Sequence, residues 1–307
     1  MVPDDCGTRE GQLQKDIVHI MRQGGYWDAI MDGDSSLDRV KVFLRTLAGE
    51  IPAIVNDMQR PNVLPIFPGL NYKPVHDKAD YPWAAQLESA FSAIRDEIMS
   101  LSSDCDFLGY EGGLAQQNMW SVVPMYYMGT PIRDFQKHCP KTVEIVNTLS
   151  GHCFEYPWGD CLFSRQAAGS HLIAHCSIDA FRLRAHLGLD VPGDCTMRVK
   201  DNLLHWRNGE VFIFEDSFEH EVWNRSDKPR TVLIIDFWHP DLTDVEKQAL
   251  MAGFRKYEMR AMMCKFRLGD HRERFEPLLL AQFKEEDQHL DVARYWPEAD
   301  CLKMEHG

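Results

Sequence analysis

Two histidines and an arginine mark the part of the chain best equipped for chemistry. His175 closes the apolar run HLIAH, His220 follows FIFEDSFE, and Arg230 stands ten positions further on. Imidazole ligates iron, zinc and copper, and a guanidinium matches a carboxylate through two parallel hydrogen bonds. The histidines are 45 residues apart, so they make a site only if the fold brings them together. A lone histidine in a folded domain is more often a satisfied polar residue than a ligand. Between them lies a third feature. If 181–187 is a strand, Arg182, Arg184 and His186 share one face while Leu183, Ala185 and Leu187 share the other. Two buried arginines and a histidine need anionic partners. Such a face either lines a barrel as a carboxylate-binding wall or faces solvent from an edge strand, and the pattern alone admits both.

The elements that must position these residues follow from periodicity and turn signals. From Cys161 to His239 short apolar stretches are separated by LDVPGD, RNGE and RSDKP, the spacing of an antiparallel sandwich or barrel. Ahead of it, Gln12–Ile51 has helical spacing, with Ser36 or an aspartate capping a second helix at Leu37. The Pro- and Gly-rich stretch 52–82 is an irregular connection too apolar to be a free linker, and is expected to lie against the domain. WAAQLESAFSAIRDEIMSL reads as one helix with a stripe of Leu87, Phe91, Ile94 and Ile98. In 105–160, residues 142–149 suggest a short helix, and the run around Trp120, Tyr126 and Tyr127 forms core in preference to a substrate lid. Beyond Leu242 the pattern is helical again, opened by the capping box TDVE, and Trp296–Pro297 marks the end of ordered sequence. The expected divisions are 1–104, helical and irregular; 105–241, the β core; and 242–307, a helical extension, together one structural domain.

Composition narrows the function. With 307 residues and 44% hydrophobic content the chain can bury a sizeable core. A net charge of −14 disfavours nucleic acid and anionic membrane as partners. No apolar run approaches a membrane span, and the polar, acidic first residues do not read as a signal peptide, so a cytoplasmic location is expected. Nine dispersed cysteines without a CxxC pair read as reduced thiols. Oligomeric state is left open.

These residues together resemble the aspartyl/asparaginyl β-hydroxylase family of Fe(II)/2-oxoglutarate-dependent oxygenases. The likeness lies in Ser164, in Gly169-Ser170-His171 before His175, in RLRAHLGL at 182–189, in the block 206–224 with FEDSFEHEVW, in Arg230, and in DFWHP at 236–240. Residues 87–97 match more weakly, and the likeness covers about half to two-thirds of the chain. It implies a mainly β fold, a double-stranded β-helix (jelly roll, cupin-like) with N- and C-terminal helices around it. By position it implies His175 and His220 as iron ligands. Arg230 and Ser164 would then hold the distal carboxylate of 2-oxoglutarate, Arg184 and His186 its end beside the metal, and Asp216 would orient a ligating water. Ser177 occupies the position where most such oxygenases carry a third, carboxylate ligand, and Asp179 has the wrong offset. Family members typically have Gly there, so a two-histidine centre completed by water is implied. Arg182, without a role in this scheme, is the candidate for a substrate carboxylate.

The implied reaction consumes O2 and 2-oxoglutarate, releases succinate and CO2, and oxidises an unactivated C–H bond of a small amino acid or amino-acid-derived metabolite. Hydroxylation, desaturation, ring closure and halogenation all diverge from one C–H abstraction. Hydroxylation of Asp or Asn in a protein or peptide is the alternative substrate class. A jelly-roll metalloenzyme without 2-oxoglutarate is disfavoured by Arg230 with Ser164, and a non-catalytic jelly-roll binding module by the retained histidines.

Overall fold

The computed structural model describes residues 8–101, 108–109, 114–116, 119–267 and 272–288. Its helices are α1 (Arg9–Gln23), α2 (Tyr26–Asp32), α3 (Asp38–Leu47), α4 (Pro82–Ser89), α5 (Phe91–Ser100), α6 (Arg133–Gln136), α7 (Pro140–Asn147), α8 (Asp244–Phe254), α9 (Tyr257–Arg267) and α10 (Arg272–Gln288). Short strands β1 (Val75–His76), β2 (Leu108–Gly109) and β4 (Thr130–Pro131) accompany the longer β3 (Trp120–Tyr127). The main series is β5 (Cys161–Gln166), β6 (His171–His175), β7 (Arg182–Asp190), β8 (Cys195–Val199), β9 (Asn202–His205), β10 (Val211–Phe214), β11 (His220–Asn224) and β12 (Arg230–Trp238).

All pairings between these strands are antiparallel. The larger sheet runs β1-β10-β7-β12-β5-β3-β2, and the smaller runs β6-β11-β8-β9. From β5 onward the chain passes back and forth between β10-β7-β12-β5 and the smaller sheet. That strand order is the double-stranded β-helix, and the fold is a jelly roll with flanking helices. β7 lies between β10 and β12, so it is an interior strand and not an edge. Its apolar face, with Leu183, Ala185 and Leu187, packs on α4, α5 and α7 through Leu87, Ile94, Ile98 and Val146. A separate cluster, with Leu162, Leu172, Met197, Phe214, Val222 and Ile234, fills the space between the sheets. Gly188 is needed where β7 meets the next loop, since a Cβ there would stand 2.2 Å from the Arg207 carbonyl oxygen.

The connection 52–82 lies against the domain as expected, with Val63 and Phe67 fully buried, and its end supplies β1. The helix expected over 83–101 is two. Ala90 bonds back to Leu87 O in a tighter three-residue turn, and α5 restarts from it, so Phe91 packs only partly buried at the margin of the stripe. α7 starts earlier than expected because Pro140 opens it and Glu97 caps it, accepting from the Lys141 and Thr142 amides at 2.8 and 2.7 Å. Trp120, Tyr126 and Tyr127 lie in β3, part of the sheet. The capping box at Thr243 and Glu246 is present. Trp296 and Pro297 lie outside the described residues.

The terminal helices form a separate layer with its own core, joining Leu13, Ile17 and Met21 of α1 to Leu250, Phe254 and Met263 of α8 and α9. α1 and α8 approach so closely that a Cβ on Gly253 would lie 2.1 Å from the Met21 sulfur. Among the described residues no helix is long and apolar enough to cross a membrane.

Candidate metal centre

Strand register does what sequence spacing could not. β6 and β11 pair so that His220 stands opposite His175, with ring centroids 4.1 Å apart. Each Nδ1 meets a backbone carbonyl two residues back, His175 to Ile173 O at 2.7 Å and His220 to Phe218 O at 2.9 Å. A carbonyl only accepts, so each Nδ1 carries the proton and each Nε2 keeps a lone pair for a ligand. Burial lowers both imidazole pKa values; that of His220 falls to about 3, helped by His175 beside it. Both rings are therefore neutral at pH 7, the form that binds metal.

Ser177 turns away from ligation. Its hydroxyl donates to Asp179 O at 2.9 Å, and its amide donates to Asp216 O at 2.7 Å. Among the described residues no set of three or more His, Cys, Asp and Glu side chains is arranged to hold a metal ion. Asp216 is buried and contacts Nη1 of both Arg182 and Arg184 at 3.2 Å. Burial pushes its carboxyl up, but the two guanidiniums outweigh burial and leave it below the ordinary carboxylate range.

The anions that the face of β7 required are aspartates of this chain. Arg182 pairs with Asp179 at 3.1 Å and Asp236 at 2.9 Å besides Asp216, and its side chain is 4% exposed. A substrate carboxylate would reach Arg182 only by displacing one of them. Arg184 donates to Asp236 at 2.7 and 2.8 Å and to Asp160 at 3.3 Å. The guanidinium expected to hold a cosubstrate is thus committed first to Asp236. Asp160 had no mention at the level of sequence and Asp236 no role beyond opening DFWHP, although the strand-face argument called for such partners.

Arg230 is the contrasting case. It is buried, donates through Nη2 to Gln166 Oε1, and lies over the Trp206 ring with its central carbon 4.2 Å from the centroid. Its Nε and Nη1 have no hydrogen-bond partner among the described residues, and burial pulls its pKa down to about 9. A buried cation without an anion is expensive. The donor set fits a ligand carboxylate, and this is the feature by which the interior fits 2-oxoglutarate. Ser164, on β5, is buried and accepts from Trp120 Nε1 at 2.9 Å. His186 Nδ1 accepts from Trp206 Nε1 at 3.2 Å, so its proton is on Nε2, which is buried and unpartnered. Burial, then Arg230, drives the His186 pKa well below the ordinary value, leaving a neutral donor. Gln166 and Trp206 were given no role from the sequence, where nothing but strand pairing would have singled them out, and Trp120 was read there only as core or a lid, not as the donor to Ser164.

Residues 88–240 match the aspartyl/asparaginyl beta-hydroxylase family. The chain belongs to that family. An ornithine lipid ester-linked acyl 2-hydroxylase of Rhizobium tropici is 33% identical over 181 residues, 56% of this chain and 62% of its own. The aspartyl/asparaginyl beta-hydroxylase of Mus musculus is 32% identical over 169 residues, 54% of this chain and 23% of its own. The chain thus spans less than two thirds of either relative. A 2OG-Fe(II) oxygenase family oxidoreductase from Burkholderia pseudomallei is similar over 53% of this chain and 91% of its own, with 14% identity and a TM-score of 0.36. At that score the jelly-roll assignment rests on strand order and not on the likeness.

Proposed function

We propose that the protein is an Fe(II)/2-oxoglutarate-dependent oxygenase that hydroxylates an unactivated C–H bond of a small amino acid or amino-acid-derived metabolite. The observation that carries the reading is Arg230, a buried guanidinium with two free donor nitrogens in a jelly roll that also pairs two neutral histidines. His175 and His220 would hold iron through Nε2. Arg230, with Ser164, would take the distal carboxylate of 2-oxoglutarate, and the His186 Nε2–H would donate to its other end, where Arg184 forms the wall. To Asp216, kept ionised by Arg182 and Arg184, we assign the orientation of a water that completes the iron's ligands. Arg182, saturated by protein carboxylates, positions Asp216. Iron and 2-oxoglutarate, when bound, supply O2-dependent oxidation of the substrate C–H bond with release of succinate and CO2. The name of the Rhizobium tropici relative, an ester-linked acyl 2-hydroxylase of ornithine lipid, supports a lipid acyl chain as a substrate class beside the small metabolite. The name of the Mus musculus relative supports a further class, aspartyl or asparaginyl residues.

Anaerobic addition of Fe(II) and 2-oxoglutarate to the full chain is expected to give a weak visible charge-transfer band. The band is lost in His175→Ala and in His220→Ala. Its absence from the unmodified protein would overturn the reading. Substrate-dependent succinate release, screened over free amino acids, ornithine lipids and Asp- or Asn-containing peptides, separates the substrate classes.

A further inference from the structure

The family match begins at residue 88, yet both histidine-bearing segments are stitched to residues upstream of it. The Glu219 amide donates to Met58 O at 2.8 Å and the Arg60 amide to Ser217 O at 3.2 Å, both just before His220. The Asn62 and Leu64 amides donate to Ser177 O and Ile178 O, each at 2.8 Å, just after His175. Met58–Leu64 thus spans the exit of β6 and the entry of β11, the two places where the metal-facing rings leave the sheet. Near its start Gln59 is 2% exposed, forms a β-bridge with Phe218 and donates through Nε2 to Ser217 Oγ at 3.1 Å. Ser217 is 1% exposed, so no bulk water replaces that bond if it is lost. Phe218 is the residue whose carbonyl fixes the His220 tautomer.

We propose that Gln59 is a positioning residue for the His175–His220 pair, acting through Ser217 and Phe218. This rests on the metal-centre reading above. A shift of the Phe218 carbonyl rotates the His220 imidazole, and a ligand ring held off its angle binds metal less tightly. Partners at one remove from a metal ligand typically carry about ten- to a hundred-fold of its affinity.

The test uses Co(II), whose visible bands report ligand geometry, titrated into the full-length protein, Gln59→Met, Ser217→Ala and the double variant. Gln86→Met, which removes an exposed bond to Thr148, serves as the comparison. Thermal unfolding of each identifies the folded samples, and Ser217→Ala, the smallest change, carries the test if Gln59→Met fails to fold. The expected result is a ten- to hundred-fold weaker Co(II) affinity and shifted bands at saturation in both single variants. The double variant is expected to be no worse than either single, and Gln86→Met unchanged. Folded single variants with wild-type affinity and bands, or losses that simply add in the double, would overturn the proposal alone. A wild-type protein that binds no Co(II) would overturn the metal-centre reading and this proposal with it.

Discussion

Asp236 stands directly opposite Arg184 in the β12–β7 register and binds it at two nitrogens, while reaching Arg182 Nη1 at 2.9 Å and accepting the Asp160 amide at 3.0 Å. One carboxylate thereby fixes both guanidiniums that hold Asp216. Asp236→Asn keeps the shape but removes the charge, leaving two buried cations underpaired. We expect it to cost about 3–5 kcal/mol, the range for breaking a buried ion pair. Urea denaturation measures this, and a loss below about 1 kcal/mol would show that the pairing is dispensable.

Arg230 predicts the opposite balance. Because its charge is buried without a carboxylate, Arg230→Met is expected to cost less than about 1 kcal/mol or to stabilise. Stabilisation by 2-oxoglutarate, about 3 kcal/mol for the wild type at a hundred times its Kd, is expected to vanish in the variant. Thermal unfolding with and without 2-oxoglutarate reads both effects. A strong destabilisation of the free protein would mean that the guanidinium serves the fold.

Trp206→Phe keeps a ring over Arg230 but removes the donor to His186 Nδ1. Both His186 tautomers become accessible, so the Nε2–H is no longer guaranteed. We expect weaker 2-oxoglutarate binding with the overall stability lowered by about 1 kcal/mol. Nitrogen chemical shifts of the His186 ring should change from a single tautomer to a mixture; a single unchanged tautomer would show that another group sets it.

Asp179 gives a pH signature. Burial raises its pKa to about 6 from 3.8, against the opposing pull of Arg182. The folded protein therefore holds this proton more tightly than the unfolded chain does. Its contribution to stability is least above pH 6 and grows as pH falls toward 3.8. Between pH 7.5 and 5 the wild type is expected to gain about 1 kcal/mol relative to Asp179→Asn. Urea midpoints at pH 7.5, 6 and 5 test the sign, and a relative loss on acidification would reverse it.

Much of the site was legible because strand alternation is a strict rule. Arg182, Arg184 and His186 separate from Leu183, Ala185 and Leu187 in the sequence as they do in β7. The neighbours of a strand face are another matter, since they come from wherever the sheet order puts them. Asp236 is 52 residues beyond Arg184, and nothing in DFWHP marks it as that arginine's partner. Arg182 was given a substrate because its own acids were not visible. Gln166 and Trp206 were missed for the same reason. The break at Ala90 was hidden differently, because alanine favours helix and here the chain turns to keep Leu87, Ile94 and Ile98 on one sheet face.

The layer of terminal helices sets an order on biosynthesis. α1 leaves the ribosome well before α8 and α9, yet these helices, more than 200 residues later, are among the surfaces that bury Leu13, Ile17 and Met21. Contacts of such long sequence separation incur loop-closure entropy before they give anything back. The nascent chain can therefore cover α1 early only with its neighbours α2 and α3, and the part of its apolar face that meets α8 and α9 stays open while the jelly roll assembles.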